Sequence, residues 1–241
     1  MFGRLIDSLR DALAPARTAT LHHNSVKHGS LIIRPPRHKD YAAWAQLRSE
    51  SRTFLQPYEP LWPDDDLQPA AWARRIARYR RDARLRLGHI WLVWRSHADG
   101  EQLVGGVSLT GIRYGVMQAG TLGYWIGARF VRQGVATGAV GAVIDHATKE
   151  LGLSRIEAAT LPDNAPSMGL LHKLGFEHEG TAPDYLRING QWQNHALFAR
   201  TRRDRPSRQA ATGQVGQVQN QISNDPNAAP KAREDRSAQS A

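Results

Sequence analysis

The stretch Gly123-Tyr-Trp-Ile-Gly-Ala-Arg-Phe-Val-Arg-Gln-Gly-Val-Ala-Thr-Gly138 carries small residues where a strand gives way to a helix. Gly134, Ala136 and Gly138 fall in the first turn of that helix, so a ligand can approach the backbone closely. The free amides of a helix N-terminus, aided by its dipole, form a phosphate site, and Arg132 adds a positive charge beside it. Neither familiar nucleotide loop fits. No Lys-Ser or Lys-Thr follows the last glycine, and Asp145 falls inside the helix rather than after a following strand. A glycine turn that merely packs helix against strand stays open as the alternative.

Further along, Glu157 stands mid-strand in Arg155-Ile-Glu-Ala. A carboxylate among apolar strand residues is costly unless paired, so it acts as a base or belongs to an ion pair. Arg155, across one intervening residue on the same strand, is set aside as its partner in favour of other arginines. Asn164 opens a helix, where its side chain can cap the first turn and offer its amide to a ligand. His172, His195 and the pair His22-His23 show no metal-ligand spacing. The chain has no cysteine, which removes disulfides, thiolate metal sites and cysteine nucleophiles and suits a reducing cytoplasm. No metal centre is expected.

The elements that must position these groups alternate between residues 31 and 202. Strands are expected at 31–34, 90–94, 103–112, 121–126, 155–161, 185–188 and 192–199. Helices are expected after Asp40 as N-cap, over 69–87, over 134–151 and over 164–174. Asn189-Gly190 marks a hairpin. A mixed sheet with helices on both faces follows from this order.

The flanks differ from the middle. Phe2, Leu5, Ile6, Leu9 and Leu13 recur at helical spacing and predict a short amphipathic helix, packed on its own domain or laid on a partner or membrane surface. Residues 14–30 show no period and read as a linker. Residues 203–241 are rich in Gln, Asn, Ala, Ser and Pro, a composition that cannot offset the entropy of ordering. The chain therefore divides into an extension over 1–30, a domain over 31–202 and a disordered tail over 203–241. No apolar run of membrane-spanning length occurs. Of 241 residues, 41% are hydrophobic, enough for a core, and the formal charge is +10. Such a balance favours polyanionic partners or reflects a solvated basic face with basic tails.

The turn Arg132-Gln-Gly-Val-Ala-Thr137, the strand Arg155-Ile-Glu-Ala, the segment Leu-Pro-Asp-Asn164-Ala-Pro-Ser167 and Leu171-His-Lys-Leu-Gly175-Phe176 occur in this order. Together they resemble the GNAT acetyltransferases, and specifically the RimJ/RimL branch that acetylates ribosomal-protein N-termini. The resemblance spans about 31–200 and is strongest from Gly123 onward. It implies an α/β (α+β) fold with a mixed, mostly antiparallel seven-stranded sheet, and acetyl-CoA as co-substrate. In that family the backbone of Val131, Arg132, Gln133, Gly134, Val135, Ala136 and Thr137 would cradle the pyrophosphate. Tyr124, Trp125 and Ile126 would run beside the pantetheine arm where the sheet splays. Asn164 and Ser167 match the family's Asn-x-x-Ser, with Ser167 placed to hydrogen-bond the departing thiolate. Two positions depart from the pattern. Val131 stands where the family places Gln or Arg, and Arg187 where several branch members carry Glu.

For direct transfer the amine must lose a proton and CoA must leave as a thiol. Glu157, acting through water, is the first candidate base. Glu59, with Tyr58 in a segment resembling the branch's substrate loop, would hold the incoming ammonium or remain an exposed loop carboxylate. Ser167 and Tyr185 compete as the acid, Tyr185 having the alternative of a strand aromatic. The expected function is N-acetylation of a protein N-terminus, with alanine or serine first, of a ribosomal protein, in the cytoplasm. Ribosomal RNA contact through the basic surface would assist. Acetylation of a small amine, or cofactor binding without catalysis, are the competing functions.

Overall fold

The computed structural model describes residues 18–25 and 29–202. The expected amphipathic helix within 1–13 and the 203–241 tail lie outside the described residues.

The described strands are β1 (Leu21–Ser25), β2 (Gly29–Arg34), β3 (His89–His97), β4 (Gly100–Arg113), β5 (Ala119–Ile126), β6 (Arg155–Thr160), β7 (Glu177–Ile188) and β8 (Gln191–Thr201). They form one eight-stranded sheet in the order β1-β2-β3-β4-β5-β6-β8-β7. The expectation of seven strands is thereby corrected. The added strand is β1, inside the 14–30 segment that shows no apolar period. Its side chains alternate between exposed and half-buried at the sheet edge, and its pairing with β2 comes from backbone hydrogen bonds that composition does not reveal. Strand β7 also starts eight residues before the expected 185, because nearly all its side chains are exposed on an outer strand.

Helix α1 (Tyr41–Glu50) and the single turn α2 (Arg52–Leu55) follow β2, and α3 (Pro69–Arg84) precedes β3. Helix α4 (Val135–Lys149) joins β5 to β6, and α5 (Ala165–Lys173) joins β6 to β7. Asp40 sits at the cap position of α1 without a capping bond. Its carboxylate instead accepts from both Arg34 terminal nitrogens, at 2.7 and 3.0 Å, in a buried pair. The same carboxylate also accepts from the Arg37 backbone amide at 2.7 Å, so it is engaged ahead of α1 and not by the helix's own amides.

All neighbouring strands run antiparallel except β5 and β6. That parallel contact comprises only Ala119 opposite Arg155, Gly120 opposite Ile156 and Thr121 opposite Glu157. Beyond it β5 stays paired with β4 as far as Ile126, while β6 stays paired with β8 as far as Thr160. The sheet therefore opens into two arms, β1–β5 and β6-β8-β7, with Thr121 and Glu157 at the apex. Under the first arm, Val140, Val143 and Ile144 of α4 pack into the core with Leu31, Ile33, Trp91 and Leu109. Adjacent strand residues point to opposite faces. Tyr124 meets α5 and Trp125 meets α1, so helices cover both faces around the opening.

Candidate functional site

The opening leaves the β6-facing backbone groups of β5 beyond Thr121 without a strand partner. Such groups require another partner, and an extended ligand lying in the gap would supply it. At the upper end of β5 the chain passes through a short 3-10 turn, Ala128–Phe130, and enters α4. Arg132 and Gly134 both adopt left-handed backbone, at φ 59° and 81°. That conformation turns the chain sharply ahead of α4, whose first turn receives no side-chain cap. Val135 buries its side chain, leaving only its amide for a ligand, whereas Ala136 and Thr137 are half-buried. The uncapped amides of residues 134–137, with exposed Arg132 beside them, suit a pyrophosphate.

Val131 is exposed and contributes no side-chain polar group. Gln133 is held on both sides: its amide nitrogen donates to the Arg129 carbonyl at 2.9 Å, and its oxygen accepts from Arg95 at 2.8 Å. Arg95, on β3, thus joins the loop's surroundings from a strand distant in sequence. Only the sheet's closure beside α4 reveals it.

The second half of the site lies across the gap. Asn164 accepts a hydrogen bond from the Ser167 amide at 3.2 Å, so it caps α5 through its oxygen and keeps its side-chain NH2 available. This fixes the first turn of α5 and with it Ser167. The Ser167 hydroxyl lies 2.7 Å from the Tyr124 hydroxyl, which comes from the opposite arm. Burial pushes the Tyr124 pKa up, outweighing the hydrogen bond to Ser167 that lowers it, so the phenol stays protonated at neutral pH. The family resemblance implicates Tyr124 through its backbone; the contact of its hydroxyl with Ser167 is visible only in the tertiary structure.

The two carboxylates expected near the chemistry are both engaged by arginine. Glu157 accepts from Arg155 at 2.9 Å and from Arg113. The setting aside of Arg155 as a partner is corrected: residues two apart on a strand share a face, and both side chains are long enough to meet. Burial raises the Glu157 pKa, but the hydrogen bonds and charges of Arg155 and Arg113 outweigh it and hold the carboxyl below its ordinary value. Glu59 accepts from Arg48 at 2.7 and 2.6 Å and from the Trp62 indole at 2.8 Å.

Arg48 itself is buried, lying 4.1 Å over the Trp62 ring and 4.9 Å over Trp125 of β5. It was not singled out by sequence. The available signal is its place one turn after buried Trp44 on the inward side of α1, where a guanidinium must find a partner. The loop is also tied to the other arm. The Asn189 amide donates to the Glu59 carbonyl at 2.8 Å, and Gln56 donates to the Asn189 side chain at 3.2 Å. Tyr58 is exposed on this loop. Beneath it lies a cleft of about 460 Å³ lined by Pro57, Leu161, Asp163, Trp192 and Asn194 among others.

Tyr185 makes no hydrogen bond to Ser167 among the described residues, whereas Tyr124 does. Tyr185 sits on a bulge where three residues of β7, 183–185, interrupt the pairing with β8, and its ring lies 5.7 Å from that of buried His195. Its hydroxyl makes no hydrogen bond among the described residues. Arg187 donates from Nε to the Gly190 carbonyl at 2.9 Å and so braces the hairpin turn. His172 packs edge-on to Phe198. Among the described residues no group of three His, Cys, Asp or Glu side chains could hold a metal, and no helix is long and apolar enough to cross a membrane.

Comparison with known proteins agrees with this construction. The Acetyltransferase (GNAT) domain pattern matches residues 30–177. The probable N-acetyltransferase YjcK of Bacillus subtilis is 33% identical over 72% of this chain and 95% of its own length. The [ribosomal protein uS5]-alanine N-acetyltransferase of Escherichia coli is 32% identical over 72% of this chain and 89% of its own. Mycobacterium smegmatis RimJ, solved in complex with CoA-disulfide, superposes with a TM-score of 0.69 at 29% identity, covering 78% of this chain and 88% of the other. With an open mixed sheet, an uncapped helix N-terminus at its mouth and these relatives, the chain belongs to the GNAT acetyltransferases, in their RimJ-like N-acetyltransferase branch.

Proposed function

We propose that the protein transfers acetyl from acetyl-CoA to the α-amine of a protein N-terminus beginning with alanine or serine, with a ribosomal protein as the acceptor. The observation that carries this reading is the 2.7 Å contact between the Tyr124 and Ser167 hydroxyls across the sheet opening. It sets a proton donor between the place for a pantetheine arm and the cleft for an acceptor. The amides of Gly134, Val135, Ala136 and Thr137, with Arg132, hold the pyrophosphate. The free backbone of Tyr124, Trp125 and Ile126 pairs with the arm, and Asn164 offers its remaining NH2.

The thioester supplies an activated acetyl group. The acceptor nitrogen bonds to its carbonyl carbon as the carbon–sulfur bond breaks, and Ser167 donates its proton to the leaving sulfur. Tyr124 donates to Ser167 Oγ and so stabilises the negative charge that develops there. Glu157, ion-paired twice, serves as the brace at the apex, and the amine gives its proton to water in the cleft, from which the Tyr124–Ser167 pair is reprotonated. A carboxylate offers about four acceptor positions, of which Glu59 has three occupied; the fourth orients that water or the amine.

A polycationic acceptor is disfavoured by charge. Glu59 is neutralised by Arg48, and Asp163 is the single carboxylate lining the cleft. Exposed Tyr58 and Trp192 instead offer aromatic surface to residues following the terminal one.

The test is CoA release with Ala-, Ser-, Met- and Pro-first peptides, with and without a blocked α-amine, beside spermidine, kanamycin and free amino acids. Turnover on Ala- or Ser-first peptides that vanishes on blocking is the expected result. Turnover on the small amines alone would overturn the protein-terminus assignment, and binding of acetyl-CoA without turnover on ribosomal-protein N-termini would overturn catalysis.

A further inference from the structure

Helix α3 turns one side inward. Trp72, Ile76 and Ala83 are buried, and the Trp72 ring stacks on Trp44 at 4.7 Å. The opposite side is built almost entirely of arginine and alanine. Between residues 69 and 87 the chain holds seven arginines, no lysine and one acidic residue, Asp82. Arg74, Arg78 and Arg81 follow the i, i+4, i+7 spacing and form one row, with Arg80 and Arg84 in a second row beside it. All five are exposed, and so are the small residues Ala70, Ala73 and Ala77 among them.

Arg74 is paired with Asp65 and Arg81 with Asp82, in exposed pairs that solvent screens and a phosphate can replace. Arg78, Arg80 and Arg84 have no carboxylate partner among the described residues. Past the helix end, Arg86 lies 5.8 Å over the Tyr114 ring, which is exposed on the β4–β5 turn next to Val116 and Met117.

We infer that this face is a binding surface for structured RNA, a second function separate from acetyl transfer. The two arginine rows follow a sugar–phosphate backbone, since guanidinium groups contact phosphate bidentately, and the alanines let that backbone come close. Tyr114 with Arg86 forms a stacking platform for an unpaired base at one end. RNA is favoured over an anionic lipid surface by the layout. Aliphatic side chains, Leu85, Leu87, Val116 and Met117, cluster only beyond the helix end, whereas a membrane-bound helix carries an apolar face along its length. The inference does not depend on which amine is acetylated.

The test is fluorescence anisotropy of the full chain with a labelled RNA stem-loop and a blunt duplex of equal length, at low and moderate salt. Replacing Arg78→Gln, Arg80→Gln and Arg84→Gln together is expected to weaken binding at least about tenfold and flatten the log–log salt slope by about 2–3, at roughly 0.7–0.9 per lost phosphate contact. A charge-matched control, Lys39→Gln with Lys149→Gln and Lys173→Gln, keeps native affinity. Tyr114→Ala weakens the stem-loop but not the duplex. Unchanged acetyl-CoA affinity in the arginine variant shows that the fold is intact. Equal weakening by both triple variants, or no RNA binding by the native chain at low salt, overturns the inference. Arginine-dependent binding to phosphatidylserine vesicles with none to RNA overturns it in favour of a lipid surface.

Discussion

Replacing Tyr124 by Phe removes one hydroxyl from the site and leaves the ring that packs against the core. In the resting protein the lost contact is a bond between two neutral hydroxyls, 2.7 Å apart and partly buried. A bond of that kind contributes about 0.5–1.5 kcal/mol net, so the variant folds with a modest loss of stability. In the proposed transfer, Ser167 gives up its proton and negative charge develops on its oxygen. The same hydrogen bond then faces a charge and is worth about 1.5–3 kcal/mol. Interactions that strengthen only in the transition state lower kcat and leave KM nearly unchanged. The difference, about 1–1.5 kcal/mol, corresponds to roughly a five- to tenfold fall in kcat, since about 1.4 kcal/mol is tenfold. The assay is steady-state CoA release on an Ala-first peptide, with acetyl-CoA affinity measured by calorimetry as the control. Ser167→Ala and the double variant complete a cycle. If the two hydroxyls act as one relay, the double variant is no slower than Ser167→Ala alone. Strictly additive losses, or a Tyr124→Phe enzyme with native kcat, would refute the relay.

Other perturbations probe the rest of the architecture. Gly134→Glu puts a bulky carboxylate at a left-handed position, φ 81°, against the phosphate cradle, and should abolish acetyl-CoA binding in calorimetry while the circular dichroism spectrum is retained. Arg48→Ala leaves Glu59 and the Trp62 indole without their shared cation; a destabilisation of about 2–4 kcal/mol in urea unfolding, with a raised peptide KM, is expected. His89 is buried, with Nε2 unpartnered, and its pKa is lowered to about 4, first by burial and then by the charges of His146 and Arg86. The unfolded chain takes up this proton near pH 6.5, so the neutral ring's contribution is complete above that value and is lost as pH falls toward 4. The loss amounts to up to about 3 kcal/mol, read as a falling urea midpoint over that window that His89→Leu flattens.

Much of the site was legible because its chemistry is local. The glycine-bearing turn, the Asn164 cap on Ser167 and the Asn189-Gly190 hairpin each involve residues within a turn of one another. Their backbone demands, φ 46° at Asn189 and 85° at Gly190 for example, select particular residue types. Strand β1 was missed for the converse reason. Edge pairing through the backbone leaves no apolar period to read. Glu157 shows how a residue type can be read correctly and its use left open. The need for a partner follows from a carboxylate in an apolar strand, but Arg113 lies 44 positions away and meets it only through the sheet.

What the amino-acid sequence determined by itself was therefore the glycine-bearing turn ahead of α4, the capped helix bearing Ser167 and the strand–helix order that brackets them. The tertiary structure alone decided where the sheet parts, after Thr121 and Glu157. It also decided that Tyr124 reaches Ser167 across 43 residues of sequence, and that Arg48 ties Glu59 to Trp125. Short-range structure is written in spacing, because neighbouring residues share a turn of backbone. Contacts between separate strands and helices depend on sheet register and on the packing of the whole core, which no local spacing encodes.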